Sequence, residues 1–464
     1  MTVEEKLIDF VTSARYEDLP QEAAEGMKCL VMNSIAAMLA GTGASGVKEL
    51  VQLIRKWGGA PESAVFLNRL KVPAHEAVLV NATMIRALDF DDFHMQTGMH
   101  TGAIVVPAAL AAVELKGGTN GEEIITAMVM GAEILNRMRL VPDRCIGVSG
   151  WTGEIYGGFG SAITAGMILG LTNDEMVNAM GLAYSQAAGN AQTIYEGTLA
   201  TRLQQGFSAR AGLFSALMAK AGLTGAKDFL EGKAGFYPVY YRGLNYDINR
   251  LLDGLGEKYE FLNLATKPYP CCGFIISPIE NIFNIMRENE IAHKDIDKVT
   301  VRVNQQMHNT VCSPPENKYH PQTPADAMFS LPYALSTAIL TGDVLLDDFS
   351  VEAIHDPDRL DFANRIETKV DEDIDMESKD LNLPLALHEI DLMTKDGKCF
   401  SQKKYYAKGF PEKPMTMEDF SKKTKKCALL AVKPFLEDKI ESLTYIVKNL
   451  ESQEDLQKLI KLLY

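Results

Sequence analysis

Within twelve residues the chain places three carboxylates and two imidazoles: Asp89, Asp91, Asp92, His94 and His100, in the string ALDFDDFHMQTGMHTG (87–102). Carboxylates and imidazoles are the side chains that general acid–base chemistry uses, and the imidazole titrates near neutral pH. The apolar run Ala103–Val113 follows; it must be buried, and its eleven residues are too few to span a bilayer. A polar cluster tethered to a buried element sits on the rim of a core, where partial desolvation moves pKa values. The plainer alternative is a solvated DFDD turn with one capping Asp and incidental histidines.

The elements that must position this cluster read as helices. Thr2 and Glu5 form a capping-box pattern ahead of Leu7, Phe10, Val11 and Ala14. Pro20 opens a second helix that stops near Gly41, and a third spans Ser45–Trp57 before Gly58 and Gly59. Pro61–Leu70 reads as a loop with room for one strand, and Pro73–Leu88 as a helix delivering Asp89 at its end. Helices are expected over Asn120–Leu140, Asn173–Asn190 and Gln205–Ala221. The turn-like stretch Asp143–Tyr156 leads into one more, rich in small residues. No Gly-x-Gly-x-x-Gly follows a strand.

After Lys267 the texture changes. Lys298–Asn304 alternates as a half-buried strand does, and Ala386–Met393 and Cys399–Tyr406 flank Thr394–Gly397, a hairpin signal. Helices are expected over Pro324–Thr341 and Val351–His355, and helical spacing returns from Thr416. The expected fold is mostly α: an all-helical domain built from both chain ends, 1–267 and 405–464, with an α+β domain, 268–404, inserted between them.

A chain of 464 residues is long enough for two domains, and 47% hydrophobic with 23% charged residues is ordinary for a soluble globular protein. A net charge of −15 argues against nucleic acid and against an anionic membrane surface as partners. Any cation facing an anionic metabolite must then be placed locally. The seven cysteines, Cys29, Cys145, Cys271, Cys272, Cys312, Cys399 and Cys427, have no regular spacing and read as reduced thiols. Adjacent Cys271 and Cys272 lack the second pair a metal site wants, so no metal is expected. The start, MTVEEKLIDF, has no apolar signal core, and a cytoplasmic location is expected.

The string ALDFDD, the His eight residues after its last Asp, and the Ala-rich helix beyond resemble the hallmark segment of the MmgE/PrpD family. The longer strings GFGSAITAGMILGL (158–171), QGFSARAGLFSALMAKAGLTG (205–225), KPYPCCGF (267–274) and PADAMFSLPYALSTAILTGD (324–343) resemble it in the same order. The resemblance implies a helical domain with a smaller α+β lid, a homodimer, and no cofactor. It also implies dehydration of 2-methylcitrate, decarboxylation of cis-aconitate or an epimerisation. Each of these moves a proton at a carbon near a carboxylate, and each needs cations to hold carboxylates. Carried over by residue, it nominates Asp89, His100, Lys267 and Tyr333 as catalytic. The expected substrate-binding set is Arg86, Asp92, His94, Thr97, Arg202 and Cys272.

The departures bear on the substrate. Relatives usually carry His at Arg86, Thr at Phe93, a Trp-His-Pro string at Trp151–Gly153, Thr-Lys-Arg-Leu-His at Ala200–Gln204, and His at Ile276. A hydrogen bond to a charged group contributes roughly 1.5–3 kcal/mol, so losing several of them weakens tricarboxylate binding by orders of magnitude. Arg86 and Arg202 remain, each suited to a bidentate carboxylate contact. The expected function is a cofactor-independent lyase on a small polycarboxylic acid. The alternatives are an isomerase or epimerase on a less charged acid, with His100 and Lys267 as its acid/base pair, and a non-catalytic metabolite-binding descendant.

Overall fold

Reciprocal hydrogen bonds start the first helix, α1 (Val3–Ser13): Glu5 N–H donates to Thr2 Oγ1 (3.2 Å) and Thr2 N–H to Glu5 Oε2 (2.9 Å). Its inner face is Leu7, Ile8 and Val11. The computed structural model describes residues 1–143, 150–381 and 387–464; Cys145, part of the turn-like stretch 143–156, and the expected strand start at Ala386 lie outside them. The chain divides into two compact units: Met1–Leu264 with Thr416–Tyr464, and Ala265–Met415.

In the first unit α2 (Gln21–Gly41) and α3 (Val47–Trp57) follow, the latter stopped by Gly58 at φ 66°. Residues 61–72 are more ordered than the loop expected there, because Ser63–Val65 pairs antiparallel with Leu70–Val72. Helix α4 (Ala74–Arg86) stops two residues short of Leu88. Beyond it Asp89 takes φ 51°, a left-handed conformation that ends a right-handed helix and that Asp tolerates better than most residues. Then come α5 (Gly102–Lys116), α6 (Gly121–Leu140), α7 (Glu154–Leu169), α8 (Asn173–Tyr184), α9 (Gln192–Tyr195) and α10 (Ala200–Lys220). Helix α8 is shorter than the expected Asn173–Asn190. Helix α10 starts five residues before Gln205, which puts Arg202 in its first turn.

Packing sets the directions of these helices. A Cβ on Gly157 of α7 would strike Ser208 Oγ of α10 (2.1 Å) and Ile104 Cδ1 of α5 (2.8 Å), so only glycine fits there. Four residues on, Ser161 Oγ donates to Ala209 O (2.6 Å), so α7 and α10 run the same way. Against α4 the sense is opposite: Arg210 pairs with Glu76 (2.7 Å), while a Cβ on Gly206 would meet Thr83 Oγ1 at 2.5 Å and Leu79 O at 2.6 Å. The N-terminal ends of α5, α7 and α10 therefore gather at the C-terminal end of α4. The tail helices Met417–Ala428 and Glu437–Lys448 pack on α2, and Lys28 Nζ donates to Lys448 O (3.2 Å) and pairs with Glu451 (3.1 Å).

The second unit holds a four-stranded sheet in the order Ile366–Val370, Ile296–Val303, His388–Thr394, Cys399–Lys404. The first pair is parallel and the other two antiparallel. Ile296, Val299, Val301 and Val303 all point inward, the period-two pattern of a half-buried strand. Gly397 at φ 84° closes the Asp-Gly hairpin. The strand Ile366–Val370 was not anticipated, although Ile366, Thr368 and Val370 alternate. The expected helix Pro324–Thr341 is two, Pro324–Met328 and Leu331–Thr341, because Ser330 Oγ caps the second by accepting from Tyr333 N–H (3.1 Å). Near Val351–His355 only the short 3₁₀ turn Ala353–His355 forms. No helix among the described residues is long and apolar enough to cross a membrane.

Candidate active site

Where α4 ends and α5, α7 and α10 begin, the ionisable residues of the DFDD segment meet two guanidinium groups. Arg86, last in α4, pairs through Nη1 with Asp89 Oδ1 (2.5 Å) and lies 3.9 Å from Asp91 Oδ1. Burial alone would lower the Arg86 pKa. The charges of Asp89, Asp91 and Glu154 outweigh it and hold Arg86 firmly protonated. Arg202, in the first turn of α10, has its pKa lowered by burial and by the Arg86 charge, partly offset by Asp89. Its only polar contact among the described residues is Nη1 to Ser45 O at 3.5 Å. It is a guanidinium without an ion-pair partner there.

His100 Nδ1 lies 3.0 Å from Asp91 Oδ2. An ionised carboxylate only accepts, so Nδ1 carries the hydrogen and Nε2 is the basic nitrogen. Nε2 makes no hydrogen bond among the described residues. Asp91 is fully buried and His100 partly so. This is an oriented acid/base group of the kind that moves protons to and from carbon. One ligand atom each from Asp89, Asp91 and His100 lies within 4.8 Å of the others, close enough to hold a metal ion. Arg86 already supplies positive charge to that cluster, and a divalent cation would meet its repulsion.

The remaining residues of the loop are engaged in building it. Asp92 accepts from Thr101 N–H (2.8 Å) and Gly102 N–H (3.1 Å), satisfying the unpaired backbone donors at the buried start of α5. Burial and the neighbouring Asp91 push its pKa up to about 6. His94 is fully buried: Nε2–H donates to Glu260 O (3.2 Å), and Nδ1 accepts from Gln96 N–H (3.3 Å) and Thr97 N–H (3.4 Å). Desolvation drops its pKa to about 4, so it is neutral at pH 7. Thr97 Oγ1 accepts from Met99 N–H (3.4 Å). Asp92, His94 and Thr97, expected to bind substrate, thus have polar atoms engaged with backbone groups, of Thr101 and Gly102, of Gln96, Thr97 and Glu260, and of Met99 respectively.

Lys267, Cys272 and Tyr333 belong to the second unit. Lys267 is buried. Cys272 precedes the helix Gly273–Glu288 and gives its N–H to Met328 O (3.0 Å). The Tyr333 hydroxyl, expected to be catalytic, faces Asp348 O (2.7 Å) and Ala353 O (2.9 Å) and accepts from Arg359 Nη1 (3.3 Å). Those bonds fix it in the core of its own unit.

Two residues of the cluster were absent from the expected set. Asp91 was visible in the string, but only the fold shows that it, and not Asp92, faces His100. Glu154 lay in a stretch read as a turn, and a carboxylate directly after Gly153 at a helix start was its one signal.

Residues 5–249 match the model of the MmgE/PrpD N-terminal domain, and residues 269–445 that of the MmgE/PrpD C-terminal domain. A cis-aconitate decarboxylase of Aspergillus terreus is 26% identical, with 99% of this chain and 96% of that protein aligned. The cis-aconitate decarboxylase of Homo sapiens is also 26% identical, over 85% of this chain and 80% of its own length. A 2-methylcitrate dehydratase of Salmonella typhi is 25% identical over 61% of this chain and 60% of its length. With both domain models matched in order, the chain belongs to the MmgE/PrpD family.

Proposed function

We propose that this protein is a lyase that moves a proton at a carbon next to a carboxylate of a small organic acid, with His100 as the acid/base group. The observation that carries this reading is the Asp91–His100 pair at 3.0 Å beside Arg86 and Arg202. Asp91 sets the tautomer and stabilises the imidazolium that forms when Nε2 takes a proton. Arg202 holds the substrate carboxylate, on which negative charge grows as the C–H bond breaks. The N-terminal ends of α7 and α10 add partial positive charge to the same region. In a dehydration, the proton taken by His100 returns to the departing hydroxide. In a decarboxylation, His100 protonates the carbon that loses carbon dioxide. The relatives named for these two reactions support the lyase class.

No metal is required in this reading, since Arg86 occupies the charge position a dication would take. The free thiols, Cys399 exposed among them, fit a reducing cytoplasm. Leu199, Phe207 and Phe214 are exposed along one side of the α10 region, a face suited to a second copy of the chain; light scattering at twice the chain mass checks it.

The deciding experiment is incubation with a panel of carboxylic acids in D₂O, read by NMR for product and for deuterium at carbon. His100→Gln should cut turnover at least about 10²-fold. Turnover that survives the substitution removes His100 from the mechanism. An epimerase is the second reading, favoured because Arg202 is the one cation of this cluster without an ion-pair partner among the described residues. Deuterium uptake with no loss of water or carbon dioxide would select it.

A further inference from the structure

Glu154 is the first residue of α7, and the residue is buried, with 9% of its surface exposed. Its Oε2 has no hydrogen-bond partner, and no ion pair reaches its carboxylate among the described residues. Two residues earlier, Thr152 Oγ1 is likewise buried without a partner. A buried carboxylate oxygen without a donor is costly, and native folds rarely keep one unless something binds it. The first turn of α7 packs on the first turn of α5 at Ile104 and on α10 at Ser208, and the Glu154 charge is felt at Arg86, so the orphan oxygen belongs to the site at the end of α4. A substrate carboxylate would be repelled from it. A substrate hydroxyl or ammonium would supply the missing donor.

We propose that Glu154 is a specificity-determining residue that binds a hydrogen-bond donor of the substrate, a hydroxyl or an ammonium group, and excludes a third carboxylate. This rests on reading the Arg86–His100 cluster as the substrate site. The acid turned over is then one whose carboxylate is held by Arg202 and whose neighbouring carbon carries the donor. Thr152 Oγ1, able to donate or accept, serves the same group.

Calorimetric titration with three probes tests this: malate with a hydroxyl, aspartate with an ammonium, and tricarballylate with a third carboxylate. Wild-type protein should bind malate or aspartate at least about 10-fold tighter than tricarballylate, the scale of one charge-assisted hydrogen bond. In Glu154→Gln that preference should collapse, because tricarballylate gains affinity. A loss of affinity concentrated on aspartate identifies an ammonium ligand; malate affinity kept while tricarballylate gains identifies a hydroxyl, since glutamine still accepts from one. Equal affinity for the three probes, a preference for tricarballylate, a preference that survives Glu154→Gln, or no binding of any probe overturns the proposal. If the variant does not fold, the wild-type ranking alone decides. Binding is read apart from turnover, so His100-independent exchange with the ranking intact would sink the proposed reaction and leave Glu154 its role.

Discussion

At the scale of single residues, Asp92 and His94, two of the buried groups of the DFDD loop, shift in opposite directions. Asp92 has a folded pKa near 6, above its ordinary value, so its contribution to stability is full below about pH 4 and is lost as pH rises through 6. His94 has a folded pKa near 4, below its ordinary value, so its contribution is present above about pH 6.5 and is lost as pH falls through 4. Between pH 4 and 6 the two slopes oppose, and the melting temperature of the wild type should vary little from this source. Asp92→Asn should steepen the fall toward pH 4, and His94→Gln should reverse its sign. Melting curves at half-unit pH steps check both. The roles of these side chains were hidden in the sequence for a physical reason. His94 is defined by the carbonyl of Glu260, 166 residues away, and no local pattern foretells that partner. His100 stood out in the sequence by its type and its place in the motif, but its partner did not, because Asp91 and Asp92 are chemically identical until the backbone turns them to opposite tasks.

At the scale of elements, glycine spacing decides how near the site-bearing helices come. A methyl at Gly206 would lie 2.6 Å from Leu79 O and 2.5 Å from Thr83 Oγ1, which is itself tied to Leu79 O at 2.7 Å and cannot swing aside. Alanine favours a helix over glycine by about 1 kcal/mol, but overpacking costs about 1–3 kcal/mol and wins. Gly206→Ala should therefore lower the urea midpoint and raise KM, as α10 carries Arg202 away from α4; an unchanged midpoint would deny the close approach. Helix types were legible here because small-residue runs and apolar periods are local. Their ends were less so. Ala87 and Leu88 are both good helix formers, and neither marks the end of α4. The stop comes from Asp89 adopting a positive φ that its ion pair with Arg86 helps to hold.

At the scale of the whole molecule, both chain ends build the unit that holds the cluster. Lys423, from the tail helix Met417–Ala428, donates to Phe90 O (2.6 Å) and Asn33 Oδ1 (2.8 Å) and sits 3.8 Å from the Phe90 ring centre. Lys423→Met leaves two buried acceptors short of a donor and should cost about 1–3 kcal/mol, with a lower kcat as the loop between Asp89 and Asp91 loosens. A urea melt beside an initial-rate measurement checks it; loss of stability with full kcat would confine Lys423 to folding. The return of the tail was suggested by the charge-rich, leucine-spaced segment after Thr416, but its contact with the DFDD loop was not, since a lysine in a basic run gives no sign of being buried.

That contact also orders events during synthesis. Phe90 leaves the ribosome 333 residues ahead of the lysine that pins it. At about 5–20 residues per second, the nascent chain spends on the order of 20 seconds to a minute with the DFDD loop lacking this contact. The intervening Ala265–Met415 unit has its own sheet and can fold in that interval. A chain cut short before Lys423 carries Asp89, Asp91, His100 and Arg202 yet lacks the donor that Phe90 O and Asn33 Oδ1 share.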